Sequence, residues 1–102
     1  ENVKARETQI RETIASWNHP AITEVRGHGL LLGIGINPAA LDIPEGKVPS
    51  IHLCSELLGK GLLVPPAGPE TVRLLPPLTV TSGEVIKALE LVQGVLDSHL
   101  SS

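Results

Sequence analysis

Methionine, phenylalanine and tyrosine are all absent from this 102-residue chain, and Trp17 is its single aromatic residue. The scarcity of aromatic rings excludes the stacking platforms on which single-strand nucleic-acid binders hold bases. Positive charge is also short: 8 Lys and Arg face 11 Asp and Glu, a net charge of −3, so the basic stripe that a nucleic-acid partner requires is missing. No apolar run approaches the roughly 20 residues of a membrane-spanning helix. One cysteine, Cys54, allows no internal disulfide, which fits a reducing compartment. The missing methionine points in another direction. A native chain starts with Met, and Glu1 is too bulky for an initiator to be trimmed ahead of it, so the sequence reads as a fragment of a longer reading frame. A targeting signal of that parent cannot be sought here.

What is present is aliphatic. Hydrophobic residues make up 41% of the chain, nearly all Leu, Val, Ile and Ala, enough to build the core of one small domain over residues 1–102. Residues 1–18 place Val3, Ile10, Ile14 and Trp17 on one side of a helix, with Glu7 and Arg11 four apart on the polar side. Asn18-His19-Pro20 stops that helix. From residue 22 the period becomes two. Leu30, Leu32, Ile34 and Ile36 share one face, and Leu31, Gly33 and Gly35 share the other, where the glycines admit a close neighbour. Gly27-His28-Gly29 reads as the turn of a hairpin formed by residues 22–26 and 30–37.

Residues 38–49 carry Pro38, Pro44, Gly46 and Pro49 and read as a loop. Ser50 is placed to cap a short helix with Ile51, Cys54, Leu57 and Leu58 on one face, ending near Gly59-Lys60-Gly61. Residues 62–64 and 71–75 read as strands around a turn at 65–69. Thr81 followed by Glu84 is a capping-box pattern, with Val80 and Val85 as a hydrophobic staple. The last helix then carries Val85, Leu89, Val92, Leu96 and Leu100 as a stripe. The order α-β-β-α-β-β-α gives an α+β fold, a small and mostly antiparallel sheet covered by helices.

Candidate chemistry is sparse. Glycines 27, 29 and 33 miss the spacing of a dinucleotide loop and precede a strand, whereas a phosphate-binding loop must open a helix. His19, His28, His52 and His99 fall on a loop, a turn and two helices, and His52 and Cys54 point to different sides of theirs, so no metal site is expected. Cys54 is read as a small core residue. Arg73 stands apart. In Thr71-Val72-Arg73-Leu74-Leu75 the pleat turns Val72 and Leu74 to one face and Arg73 to the other, just before Pro76-Pro77 ends the ladder. The pattern leaves two readings open: a solvated strand arginine with a local glutamate partner, or a guanidinium fork presented to a carboxylate.

Three stretches in this order carry a family resemblance. They are Val25-Arg26-Gly27-His28-Gly29-Leu30-Leu31-Leu32-Gly33, Gly61-Leu62-Leu63-Val64-Pro65-Pro66-Ala67-Gly68-Pro69, and Thr71-Val72-Arg73-Leu74-Leu75-Pro76-Pro77-Leu78 followed by a capped helix. Together they resemble the C-terminal small domain of the class-III pyridoxal-phosphate aminotransferases, over almost the whole chain. The likeness is nearest to the branch acting on N-acetylornithine, with the ornithine branch next. It implies a cytoplasmic, homodimeric enzyme of fold type I. That enzyme moves the terminal amino group of N-acetylornithine to 2-oxoglutarate, giving N-acetylglutamate 5-semialdehyde and glutamate in arginine biosynthesis.

By position the resemblance puts Arg73 on the substrate α-carboxylate. It also implies that this domain works beside a large domain of the same chain that holds pyridoxal 5'-phosphate. The family's cofactor lysine, its aspartate on the pyridine nitrogen and its phosphate-binding groups have no match here, since Lys4, Lys47, Lys60 and Lys87 lack the surrounding motif. No catalytic residue and no bound cofactor are therefore expected in this chain by itself. Donors such as ornithine, succinylornithine or 4-aminobutyrate fit the same class. A stand-alone module that binds an amino acid is a reading of a different kind.

Overall fold

A computed structural model describes residues 2–100; the expected helix start at Glu1 lies outside them. Helix α1 (Asn2–Trp17) is followed by strands β1 (Ile22–His28) and β2 (Leu31–Ile36), helix α2 (Pro49–Gly59), strand β3 (Thr71–Leu74) and helix α3 (Ser82–Ser98). A single 3-10 turn, Pro38–Ala40, interrupts the long loop, with the Asn37 side chain accepting from the Ala39 N–H. The sheet has the order β1-β2-β3 and both pairings are antiparallel, so the α+β class read from the sequence holds.

The alternation in β2 determines which side becomes the core. Leu30, Leu32, Ile34 and Ile36 are all buried, and Val72 and Leu74 join them from β3. Ile10 and Ile14 of α1, Leu53 and Leu57 of α2, and Val85, Leu89, Val92, Val95 and Leu96 of α3 close over this face. Helix α3 packs against both α1 and α2. Its start is as expected: Thr81 Oγ1 accepts from the Glu84 N–H at 3.1 Å and Glu84 Oε1 accepts from the Thr81 N–H at 2.9 Å, while Val80 and Val85 are both buried beside it. Leu100 lies past the helix end and bridges to Leu41 instead of extending the stripe.

Three local expectations change. Strand β1 runs on through Gly27 and His28, and the hairpin closes over Gly29 and Leu30 alone. Gly29 has φ 62° and Leu30 is not in the left-handed region, the pattern of a type II′ turn, whose twist matches that of the strands it joins. Gly27 has φ 113°, and a Cβ there would sit 2.0 Å from the Leu31 carbonyl oxygen.

Helix α2 starts two residues earlier than expected, with Val48 at the cap and Pro49 first in the helix. Proline suits that position because its φ is preset and its missing N–H would have had no helical partner. Ser50 is fully buried and donates its hydroxyl to the Gly68 carbonyl at 2.5 Å. The buried face of α2 is consequently Ser50, Leu53, Cys54 and Leu57, with Ile51 and Leu58 more than half exposed. Burial pushes the Cys54 thiol up, in keeping with its reading as a core residue.

The third change removes a strand: residues 62–64 form no ladder, and the observed order is α-β-β-α-β-α. Pro65 and Pro66 have no N–H to donate, so this segment meets β3 by an isolated bridge. Arg73 donates its N–H to the Pro65 carbonyl at 2.9 Å, and the Ala67 N–H donates to Thr71 at 2.8 Å.

Two side-chain clamps fasten α1 to the rest. Arg11 Nε donates to Glu7 Oε2 at 3.0 Å, its Nη1 donates to the Val25 carbonyl at 3.0 Å and its Nη2 donates to the Gly27 carbonyl. Glu7 Oε1 accepts from the Gly29 N–H at 2.8 Å. The Arg11 hydrogen bond, and after it that of Gly29, holds the Glu7 carboxyl below its ordinary range. The second clamp is His19, whose side chain is only 4% exposed. Its Nδ1 accepts from the N–H of the fully buried Ala21 at 3.1 Å, which leaves Nε2 as the protonated nitrogen, donating to Asp97 Oδ1 at 2.8 Å.

A carboxylate whose folded pKa is depressed stabilises the fold above its unfolded pKa, and the contribution is lost as pH falls through the folded value. Urea unfolding of Glu7→Gln is therefore expected to differ from wild type at neutral pH, with the two curves converging on acidification below the ordinary carboxylate range; a constant offset would refute the clamp. His19→Ala strands the buried Ala21 N–H, so a loss of about 1–3 kcal/mol is expected in the same measurement.

Candidate functional site

The outer face of the sheet, opposite the helices, carries the candidate site. Gly33 pairs with Arg26 on one side and with Arg73 on the other, and directly paired residues of an antiparallel sheet project to the same face. Two arginines therefore stand about 9–10 Å apart, two inter-strand spacings, with nothing but backbone between them. They line an open depression of about 470 Å³ with Gly27, Leu31, Ala67 and Thr71.

The two guanidinium groups differ. Arg26 is engaged, with Nη2 donating to Thr71 Oγ1 at 3.0 Å and Nε 3.4 Å from Glu24 Oε2. These contacts brace β1 against the start of β3 across the central strand. Arg73 is exposed, and among the described residues no carboxylate lies within ion-pair distance of it. The reading of Arg73 as an arginine with a local glutamate partner thus finds no such partner there. Its backbone is fixed by the ladder to Gly33 and by the bond to Pro65, so an exposed cation projects from a held backbone.

Gly33 leaves the space between the two arginines open. A Cβ at that position would lie 3.2 Å from Thr71 Cγ2, and any larger side chain would rise between the arginines. Arg26, Gly33 and Thr71 were not expected as site residues. The signal for them is the register: a two-residue hairpin turn puts Arg26 opposite Gly33, and a turn read at residues 27–29 does not.

An apolar cleft lies elsewhere, between the extended segment 62–64, the residues that follow β3, and α3. Leu62, Leu63, Leu75, Pro76, Val80 and Val85 are among its walls, and it offers no group able to hold an anion by charge. Glycines 27 and 29 lie in a strand and a hairpin turn, so they form no phosphate loop. Of the four histidines, His19 serves the clamp to Asp97 and His28 is exposed at the end of β1. His52 and Cys54 diverge as expected, yet His52 and His99 come together at Glu56. The sequence reading missed this convergence because it depends on how α2 and α3 pack. No helix of the described residues is long and apolar enough to cross a membrane.

Comparison with known proteins gives a consistent result. The family model described as Aminotransferase class-III matches residues 1–96. The acetylornithine aminotransferase of Synechocystis sp. (strain ATCC 27184 / PCC 6803 / Kazusa) is 36% identical over 96 residues, covering 91% of this chain and 21% of that protein. That of Bacillus subtilis (strain 168) is 39% identical over 85 residues, covering 83% and 20%. Among solved structures, N-acetylornithine aminotransferase from Stenotrophomonas maltophilia K279a superposes with a TM-score of 0.80 at 26% identity, over 95% of this chain and 26% of that one. Acetylornithine aminotransferase from Elizabethkingia anophelis gives 0.81 at 27% identity, over 96% and 25%. The chain thus spans about a fifth of the length of the curated relatives it matches. With the family model matching nearly all of it, the chain belongs to the class-III aminotransferases.

Proposed function

We propose that this chain is the substrate-carboxylate-binding domain of an acetylornithine-type aminotransferase, and that Arg73 is the residue that holds the carboxylate. The observation that carries the reading is Arg73 itself: a strand-mounted guanidinium with no acidic partner among the described residues, facing a gap kept open by Gly33. A guanidinium presents two parallel N–H donors that match the two oxygens of a carboxylate. Anchoring one end of an amino acid in this way fixes where its amino group points, and orientation of this kind supplies much of the rate of a two-substrate reaction. Both the amino donor and the 2-oxo acid acceptor carry a carboxylate that such a fork can hold.

The family to which the chain belongs uses pyridoxal phosphate, which supplies the electron sink for amino transfer. The residues of this chain do not fit that group. Lys4, Lys47, Lys60 and Lys87 are all exposed, and none of them lines the arginine depression or the apolar cleft. A cofactor-bearing lysine works from a desolvated pocket that shifts its pKa, and these four have none. The cofactor and the proton transfers that depend on it are accordingly assigned to a larger partner domain. Leu31, Leu63, Leu75 and Leu78, each 47–77% exposed, offer the apolar surface for such a domain to cover. Covering Leu31 at the rim of the depression would exclude water and strengthen the charge–charge contact at Arg73.

In the full-length enzyme, Arg73→Ala is expected to raise the KM of both the amino donor and 2-oxoglutarate. Charge-assisted hydrogen bonds worth about 1.5–3 kcal/mol correspond to roughly 10- to 150-fold. Arg73→Lys should recover only part of this, because a point charge lacks the two-point fork. Unchanged KM values for both substrates in Arg73→Ala would remove the role. The 102-residue chain alone, mixed with pyridoxal phosphate, is expected to show neither an internal-linkage absorbance nor turnover; a borohydride-stable adduct on any of its four lysines would contradict this assignment of labour.

A further inference from the structure

On the far side of the core from the arginine row, α2 and the end of α3 bring together three side chains with metal-ligating atoms. His52 and Glu56 lie one turn apart on the same face of α2, and His99 follows directly after the last turn of α3. Glu56 and His99 are 43 positions apart in sequence. Their elements are locked together by Leu53 and Leu57 of α2 packed with Val92, Val95 and Leu96 of α3. The residues after α3 are tied down as well, by the Asp42 N–H to the His99 carbonyl at 2.6 Å and by the Leu41–Leu100 bridge. The three side chains thus rise from rigid supports, as a site of defined geometry requires.

The distances fit a shared cation. Glu56 Oε1 lies 2.8 Å from His99 Nε2 and 3.2 Å from His52 Nε2, and one ligand atom from each of the three residues falls within 4.8 Å of the others. The two rings meet edge to face, with centroids 5.1 Å apart at 73°. Zinc bonds of about 2.0–2.2 Å at tetrahedral angles need donors roughly 3.3–3.6 Å apart, so a modest opening of the pair contacts admits the ion.

The hydrogen bonding leaves a gap that a cation fills. One carboxylate oxygen is approached by two imidazole nitrogens, and the contact to His52 Nε2 is too poorly aligned to be a hydrogen bond, which leaves that enclosed nitrogen with no partner. On the other ring, His99 Nδ1 lies 3.3 Å from the Asp42 carbonyl. A carbonyl only accepts, so Nδ1 is the donor there, and a cation that displaces the hydrogen shared by Nε2 and Glu56 Oε1 meets the Nε2 lone pair. This backbone-carbonyl support behind the ring is the arrangement that orients histidines on metals. A proton satisfies one nitrogen at a time, whereas a divalent cation accepts a lone pair from all three residues.

We propose that His52, Glu56 and His99 form a zinc-class divalent-cation site that clamps α2 to the end of α3. Two imidazoles and one carboxylate favour Zn²⁺, Co²⁺ or Ni²⁺ over Mg²⁺ and Ca²⁺, which take oxygen ligands. Three protein ligands leave the fourth position to water or to a group from outside the chain. Cys54 is not a ligand, since it is buried on the core face of α2.

The metal-free chain titrated with Zn²⁺ against a chromophoric chelator is expected to bind one equivalent, and Co²⁺ is expected to give visible d–d bands of a site with nitrogen and oxygen donors. His52→Ala, His99→Ala and Glu56→Gln should each weaken Zn²⁺ by at least about tenfold, with His28→Ala unchanged. Because His99→Ala could also loosen the end of α3, proton NMR of the wild-type chain supplies a second readout. Zn²⁺ should shift the imidazole resonances of His52 and His99 and leave that of His28 in place. Zn²⁺ affinity unaltered in both histidine variants, equal perturbation of all histidines, or one Zn²⁺ held between two chains would each overturn the proposal.

Discussion

The central strand imposes the constraint on which the other elements depend. On its inner face β2 carries nothing but large aliphatic residues, and its outer face is nearly bare. The inner face forces all three helices to one side, because Leu32 and Ile34 are buried to 1% or less and only a continuous helical cover removes that much apolar area from water. The outer face is glycine at residues 33 and 35. At Gly35 the reason is steric: the register shifts near Thr23, and a Cβ at residue 35 would meet Thr23 Oγ1 at 2.3 Å. At Gly33 the reason is the space between two arginines. One strand thus determines both where the core lies and where charge can be displayed.

Around that strand, polar side chains fasten elements that apolar packing alone leaves loosely oriented. Glu7 and Arg11 look from the sequence like an ordinary helix-surface pair, worth a few tenths of a kcal/mol. In the fold each spends its remaining hydrogen bonds on the β1–β2 hairpin, so the pair orients α1 on the sheet. His19 does the same between the α1–β1 connection and α3. These are long-range contacts made by residues that local pattern assigns to solvent. They hold α1 on the hairpin and the α1–β1 connection on α3.

The sequence made legible whatever depended on period and local chemistry: the buried face of β2, the outward side of Arg73, the capping box at Thr81 and Glu84. It misled where a neighbouring proline or a turn type decided the outcome. Pro49 displaced Ser50 from the cap, and the hydroxyl found the Gly68 carbonyl. Pro65 and Pro66 could not donate to a ladder, which removed a strand from residues 62–64. Reading the turn at Gly27-His28-Gly29 instead of Gly29-Leu30 shifted the hairpin register and hid the Arg26–Gly33–Arg73 row. Half of the candidate site was therefore readable, and the other half followed only from register. The approach of His52 to His99 had no local signal, since it arises from the packing of two helices separated by β3.

Arg11 has one more consequence. In a hairpin closed by the His28–Leu31 pair, alternate residues of β1 turn their peptide groups away from β2, and Val25 and Gly27 are among them. Their carbonyls form the rim where a further strand would attach, and Arg11 occupies both. At the opposite rim Pro65 and Ala67 cover β3. A three-stranded sheet with both margins occupied in this way resists strand-by-strand association with other chains. The small sheet can therefore keep one face bare without becoming a template for its own aggregation.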